Sequence, residues 1–180
     1  MHISRLLLAL AILSFNGLFS STQAQQFPQS WQGIWSGTVH IWSPNHQVDS
    51  FPMSLEITPT DSLWNFIVRY QRNPSQPDIR GYSLVILDDS LGHFAIDEHN
   101  DILLDAYRFD DCLMVGFGGM GSELLMRICK EGESLQYEIT SGFSEPTRVS
   151  GDTILGTDTI PEIRSYELYN MMKARLDLQP

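Results

Sequence analysis

The chain has 180 residues, 42% of them hydrophobic and 11% aromatic, and its 22 acidic side chains against 11 basic ones give a formal charge of −11. That length supplies one ordinary domain with a single core, and no second domain is needed. A field of this sign repels phosphate backbones and anionic lipid surfaces, which argues against nucleic acid and membrane surfaces as partners and suits solubility in an extracytoplasmic space.

Arg5 stands before an apolar run from Leu6 to Phe19, and small residues lead on to Thr22-Gln23-Ala24. This is the layout of a secretory signal peptide over residues 1–24, with cleavage after Ala24. The run is interrupted by Ser14, Asn16 and Gly17, and neither it nor any later segment is apolar for long enough to span a bilayer. No cysteine lies near the cleavage site to carry a lipid anchor. Residues 25–180 are therefore expected to form one secreted or periplasmic domain. Without Arg5 it carries 10 basic and 22 acidic residues, a net charge of −12.

Beyond the leader, apolar and polar residues alternate with the period of a half-buried strand. In GIWSGTVHIW, Trp35, Val39 and Ile41 alternate with Ser36, Thr38 and His40, and Ser43-Pro44-Asn45 marks a turn. FPMSLEI places Phe51, Met53, Leu55 and Ile57 on one side, and LWNFIVRY does the same for Trp64, Phe66, Val68 and Tyr70. Turn clusters at 73–77, 88–90 and 100–101 then separate the candidate strands GYSLVIL, HFAI and ILLDAYRF. CLMVGF, ELLMRIC and LQYEIT follow, the last two divided by Glu131-Gly132-Glu133. Residues 142–161, with Pro146, Gly151, Gly156 and Pro161, read as irregular or edge-strand chain. From Ser165, a suitable N-cap, Leu168, Met172 and Leu176 recur at helical spacing, with Glu167 early and Lys173 and Arg175 late. A C-terminal helix against the sheet is expected. The fold class is all-β, an antiparallel sandwich or an up-and-down barrel of about eight to ten strands.

The stretch DCLMVGFGGMGSELLMRIC, residues 111–129, has two readings. Gly116, Gly118 and Gly121 are spaced as in a dinucleotide-binding loop, with Glu138 at about the distance of a ribose-binding acid. That loop belongs to a parallel unit with crossover helices, whereas the preceding chain alternates like antiparallel strands. In the other reading, Met120 and Gly121 are the centre of a two-residue hairpin turn. Cys112 then faces Cys129, and Leu113, Val115 and Phe117 face Ile128, Met126 and Leu124 on one apolar side. Directly opposed cysteines can form a cross-strand disulfide, and an oxidising destination favours it. The hairpin is the preferred reading.

Little else points to chemistry. No GxSxG elbow surrounds Ser122, and His40, His46, His93 and His99 lack the spacing of a ligand pair. Asp97, Glu98, Asn100 and Asp101 offer the oxygen donors that calcium prefers, but not at the spacing of a calcium loop, and a hairpin turn accounts for them. Asp105 interrupts an apolar neighbourhood and is the acid whose orientation matters most. No catalytic residue, metal site or cofactor is assigned.

Gly33-x-Trp35 on the first expected strand resembles the start of lipocalins and of the wider calycin group, which includes avidin-like and fatty-acid-binding barrels. The resemblance implies an up-and-down barrel with Trp35 at its closed end, near a basic side chain for which Arg164 and Arg175 are candidates. Thr157-Asp158-Thr159 matches the lipocalin Thr-Asp-Tyr motif in part. A barrel of this size can hold one small ligand. A small apolar or amphipathic molecule is expected to meet Trp35, Met53, Phe66, Val68, Phe117, Met126 and Tyr137, unless these side chains fill the interior. The rival expectations are a solid barrel that engages another exported protein through its surface and, less supported, an enzyme in the barrel mouth.

Overall fold

The computed structural model describes residues 26–180, so the signal peptide expected over 1–24 lies outside the described residues. Twelve strands follow one another: β1 (Gly33–Ser43), β2 (His46–Pro59), β3 (Trp64–Tyr70), β4 (Asp78–Asp88), β5 (His93–Asp97), β6 (Leu103–Phe109), β7 (Cys112–Gly119), β8 (Ser122–Glu131), β9 (Ser134–Ser150), β10 (Thr153–Leu155), β11 (Asp158–Ile160) and β12 (Ile163–Leu178). Each of β1 to β8 pairs antiparallel with the next, and β12 pairs with both β9 and β1. Ten strands thus close an up-and-down barrel, while β10 and β11 form a small separate ribbon.

The alternating residues of the first three strands all point inward. Trp35, Val39 and Ile41 of β1, Phe51 to Ile57 of β2 and Trp64 to Tyr70 of β3 are buried at every second position. The inward positions are mostly apolar, while the outward ones mix polar residues with exposed apolar ones such as Ile34, Trp42, Ile79 and Leu125. Among the described residues no helix is long and apolar enough to cross a membrane.

The C-terminal helix is a correction, since β12 occupies its place and the only helical pieces among the described residues are the 3-10 turns Gln29–Trp31 and Asp89–Leu91. A spacing of four residues is a multiple of two, so it suits one face of a strand as well as of a helix: Met172 and Leu176 share the inward face, and bulges on either side of Leu168 leave that residue exposed. What decides is pairing. With β9 on one side and β1 on the other, β12 satisfies both rows of backbone groups and closes the sheet, an advantage no helix at that place offers.

The glycine-rich stretch is a hairpin. Met120 and Gly121 have φ of 53° and 80°, the pair of positive values that a type I′ turn requires and that glycine adopts freely. Cys112 faces Cys129, and Leu113, Val115 and Phe117 face Ile128, Met126 and Leu124. The two cysteines are disulfide-bonded, with Cα atoms 4.0 Å apart.

Residues 142–161 are more regular than the sequence suggests. Ser144 N donates to Gly121 O at 3.0 Å, after which β9 leaves β8 behind, and the pairing of β12 with β1 begins only at Met171. The parts of β9 and β12 beyond these points pair with each other through bulges and project past one rim as an arm, with β10 and β11 towards its tip.

Candidate ligand cavity

One end of the barrel is closed by the segment before β1. Phe27 and Trp31 cover it with ring centroids 4.8 Å apart, and Phe27 meets Phe94 edge-on at 4.9 Å. Trp35 is 1% exposed, and its Nε1 donates to Trp31 O at 2.8 Å, so the buried indole keeps a partner. Gly33 enters β1 with φ +143°, and a Cβ there would lie 2.5 Å from Leu178 Cδ1. Both facts call for glycine two residues before the tryptophan.

The basic partner of Trp35 is Lys130 of β8. Its Nζ lies 5.8 Å from the Trp35 ring centroid and donates to Ser30 O. Arg164 and Arg175 do not reach the ring. Arg164 sits in the projecting arm on Glu162, and Arg175 faces outward from β12 onto Asp177. The alternation of β12 explains this, because Ala174 and Leu176 take the inward positions on either side of Arg175.

The other end opens into a cavity of about 570 Å³, so the interior is packed at one end and hollow at the other. That volume falls among those of sites for small organic ligands, roughly 300 to 1,000 Å³. Phe66, Val68, Phe117, Met126 and Tyr137, expected as contacts from the sequence, line it. Trp35 and Met53 do not, and both are enclosed in the packed core.

Polar groups from β3 and β4 on one side and β9 on the other meet in the cavity. Tyr70 and Tyr137 are buried, and their hydroxyls lie 2.7 Å apart in a hydrogen bond. Burial pushes both phenols above their ordinary pKa, Tyr137 the further, since a phenolate there would be desolvated. Beside them, Arg80 Nε and Nη2 donate to Asp78 Oδ2 at 3.3 and 3.1 Å, and the guanidinium carbon stands 5.2 Å from the Tyr70 ring centroid. Tyr82 completes the group, its phenol also raised, chiefly by burial. At the rim, Arg72 pairs with Asp49 at 2.8 Å and covers the Phe51 ring, while Glu98 accepts from Asn100 Nδ2 at 3.4 Å.

Asp78 and Arg80 precede the expected strand GYSLVIL, adjoin a turn cluster and are not apolar, and Tyr82, within that strand, is not among the expected ligand contacts. Their register would have found them: Arg80 faces Val68, and Tyr82 faces Phe66, so both share the inward side.

Asp105 points outward, its side chain 64% exposed and its Oδ1 2.7 Å from His93 Nε2, with the His93 ring stacked on Tyr107. Its inward position in the pleat is taken by neighbouring Ala106, which is fully buried. Asp97 Oδ1 accepts from His99 N at 2.8 Å and so serves the turn, in which His99 and Asp101 adopt positive φ. Among the described residues no three His, Cys, Asp or Glu side chains converge as a metal group would require.

A scan against protein-family models and a search of curated proteins gave no match to this chain. The all-β closed barrel with a tryptophan and a lysine at its sealed end agrees with a lipocalin-like architecture in geometry alone.

Proposed function

We propose that this is an exported, non-catalytic carrier that holds one small apolar or amphipathic molecule in the open half of its barrel. The observation that carries the reading is the cavity itself: about 570 Å³, bounded largely by aliphatic, aromatic and methionine side chains, with a smaller set of polar groups among them. Such a lining favours a ligand whose body is driven in by apolar burial and whose orientation is fixed by few polar contacts. The leader-like first 24 residues and the Cys112–Cys129 bridge support export. The glycine and tryptophan of the first strand support the lipocalin-like comparison.

The test is to purify the protein from its native host without denaturation, extract it with solvent and identify what is released by mass spectrometry. A stoichiometric small molecule is expected. Empty protein that also fails to bind the uncharged dye Nile red would overturn the reading.

A second reading rests on the projecting arm, where Val149, Ile154, Leu155 and Ile163 are all more than half exposed. Apolar side chains held away from the core are suited to contact with another exported protein. The measurement that separates the two is whether a Val68→Trp substitution, which fills the cavity, removes the protein's binding activity.

A further inference from the structure

The polar groups of the lining narrow the ligand class, on the premise that the cavity is a binding site. We infer that the ligand is an uncharged amphiphile whose head presents an acceptor oxygen, a hydroxyl or a carbonyl, to the Tyr70–Tyr137 pair.

The first ground is the hydrogen-bond count. Two hydroxyls that share one bond use one of their two protons in it. Tyr70 and Tyr137 have no other side-chain hydrogen-bond partner among the described residues, and both line the cavity. One O–H is therefore left to donate, and the lone pairs of the pair remain able to accept. A carbonyl satisfies the first, and an alcohol both. Burial raises both phenols' pKa, so the hydroxyls stay neutral and keep the proton that the head needs.

The second ground is charge. Each arginine at the cavity already has its carboxylate, Arg80 on Asp78 and Arg72 on Asp49. Glu98 adds a negative charge at the rim with no salt-bridge partner among the described residues. A fatty carboxylate would enter against this acid and against the chain's net negative field, with no uncommitted cation to receive it. A cationic head would instead place its charge beside Arg80 and leave the tyrosine proton without an acceptor. A neutral oxygen meets neither obstacle.

The experiment is displacement of Nile red from the full purified protein by four probes with the same hydrocarbon length: dodecanol, methyl decyl ketone, dodecanoate and dodecyltrimethylammonium, each below its aggregation limit. Dodecanol and the ketone are expected to displace the dye at concentrations about tenfold lower than either ion, the scale of one well-placed hydrogen bond plus an avoided charge burial. In the Tyr70→Phe, Tyr137→Phe double variant, that preference, read against the variant's own dye affinity, should fall by about fivefold. The wild-type series stands by itself if the variant does not fold. Tighter binding of dodecanoate, or equal binding of all four, would overturn the inference and leave the cavity reading standing. No displacement by any probe, with dye binding unchanged in Val68→Trp, would instead overturn the cavity reading.

Discussion

The two ends of this barrel are made from the same strands by the same alternation, and they differ in what the alternating side chains become. At the sealed end Trp35, Phe94, Leu135 and Leu176 meet under a cap of Phe27 and Trp31 and leave almost no exposure. At the open end the inward positions pass to Tyr70, Arg80, Tyr82, Ser141 and Met172, and space remains. Long polar side chains keep their heads towards water, so they cannot close a barrel as a tryptophan does. Stability should therefore be concentrated at one end and recognition at the other.

The sharpest way to break this contrast is truncation at each end. Trp35→Ala should cost about 3 to 5 kcal/mol of unfolding free energy, the range for emptying a large aromatic site in a packed core. Leu124→Ala, at the cavity rim, should cost less than half of that, because the site already borders open space. Urea titration of both variants decides it, and equal losses would mean that the two ends are packed alike. Next in size is the disulfide, which belongs to the sealed half on the outer face. Replacing Cys112 and Cys129 together by Ala should cost roughly 2 to 4 kcal/mol, as expected for a bridge that closes a loop of this length. The same titration measures it.

How much of this was legible beforehand divides along the same axis. Trp35, Val39, Leu55, Phe66 and Ile128 declare themselves by apolar alternation, and the hairpin register of 112–129 follows from a two-residue turn and two cysteines. The polar groups stayed hidden because Asp78 and Arg80 have the composition of a loop, and only pairing with β3 shows which way they and Tyr82 face. Lys130 as the partner of Trp35 depends on where β8 ends relative to the N-terminal cap, a long-range fact that local pattern does not carry. The false helix at 165–176 arose because spacings of four satisfy both periods, and the choice was made by two neighbouring strands.

A smaller effect is expected at the boundary between the halves. Tyr137→Phe deletes one partner of the buried hydroxyl pair and should cost about 1 kcal/mol at neutral pH. The pair also sets an alkaline limit. Phenols whose pKa is raised on folding favour the folded state fully below the unfolded phenol value, about 10, and that contribution is lost as pH rises through the folded values. Unfolding midpoints should thus fall above about pH 10, and less steeply in Tyr137→Phe. Following phenolate absorbance beside the unfolding signal would show whether the late-ionising tyrosines and the loss of structure coincide. Ionisation of all six tyrosines well before unfolding would place this pair in water rather than in the wall.

The smallest effect belongs to the arm beyond the open rim. Ile154 and Leu155 are each 73% exposed on a ribbon that pairs only with itself, so they contribute almost no burial to the barrel. Replacing both by Ser should change the unfolding free energy by no more than about 0.5 kcal/mol, and dye binding in the cavity should be unchanged. A loss above 1 kcal/mol would show that the arm folds back on the rim, and the open end would then have a cover of its own. If stability and dye binding both hold while the apparent mass in solution falls, the arm's apolar tip is an association surface. The division would then extend along the whole axis: a sealed end that holds the fold, a hollow middle that receives a ligand, and an arm that meets another chain.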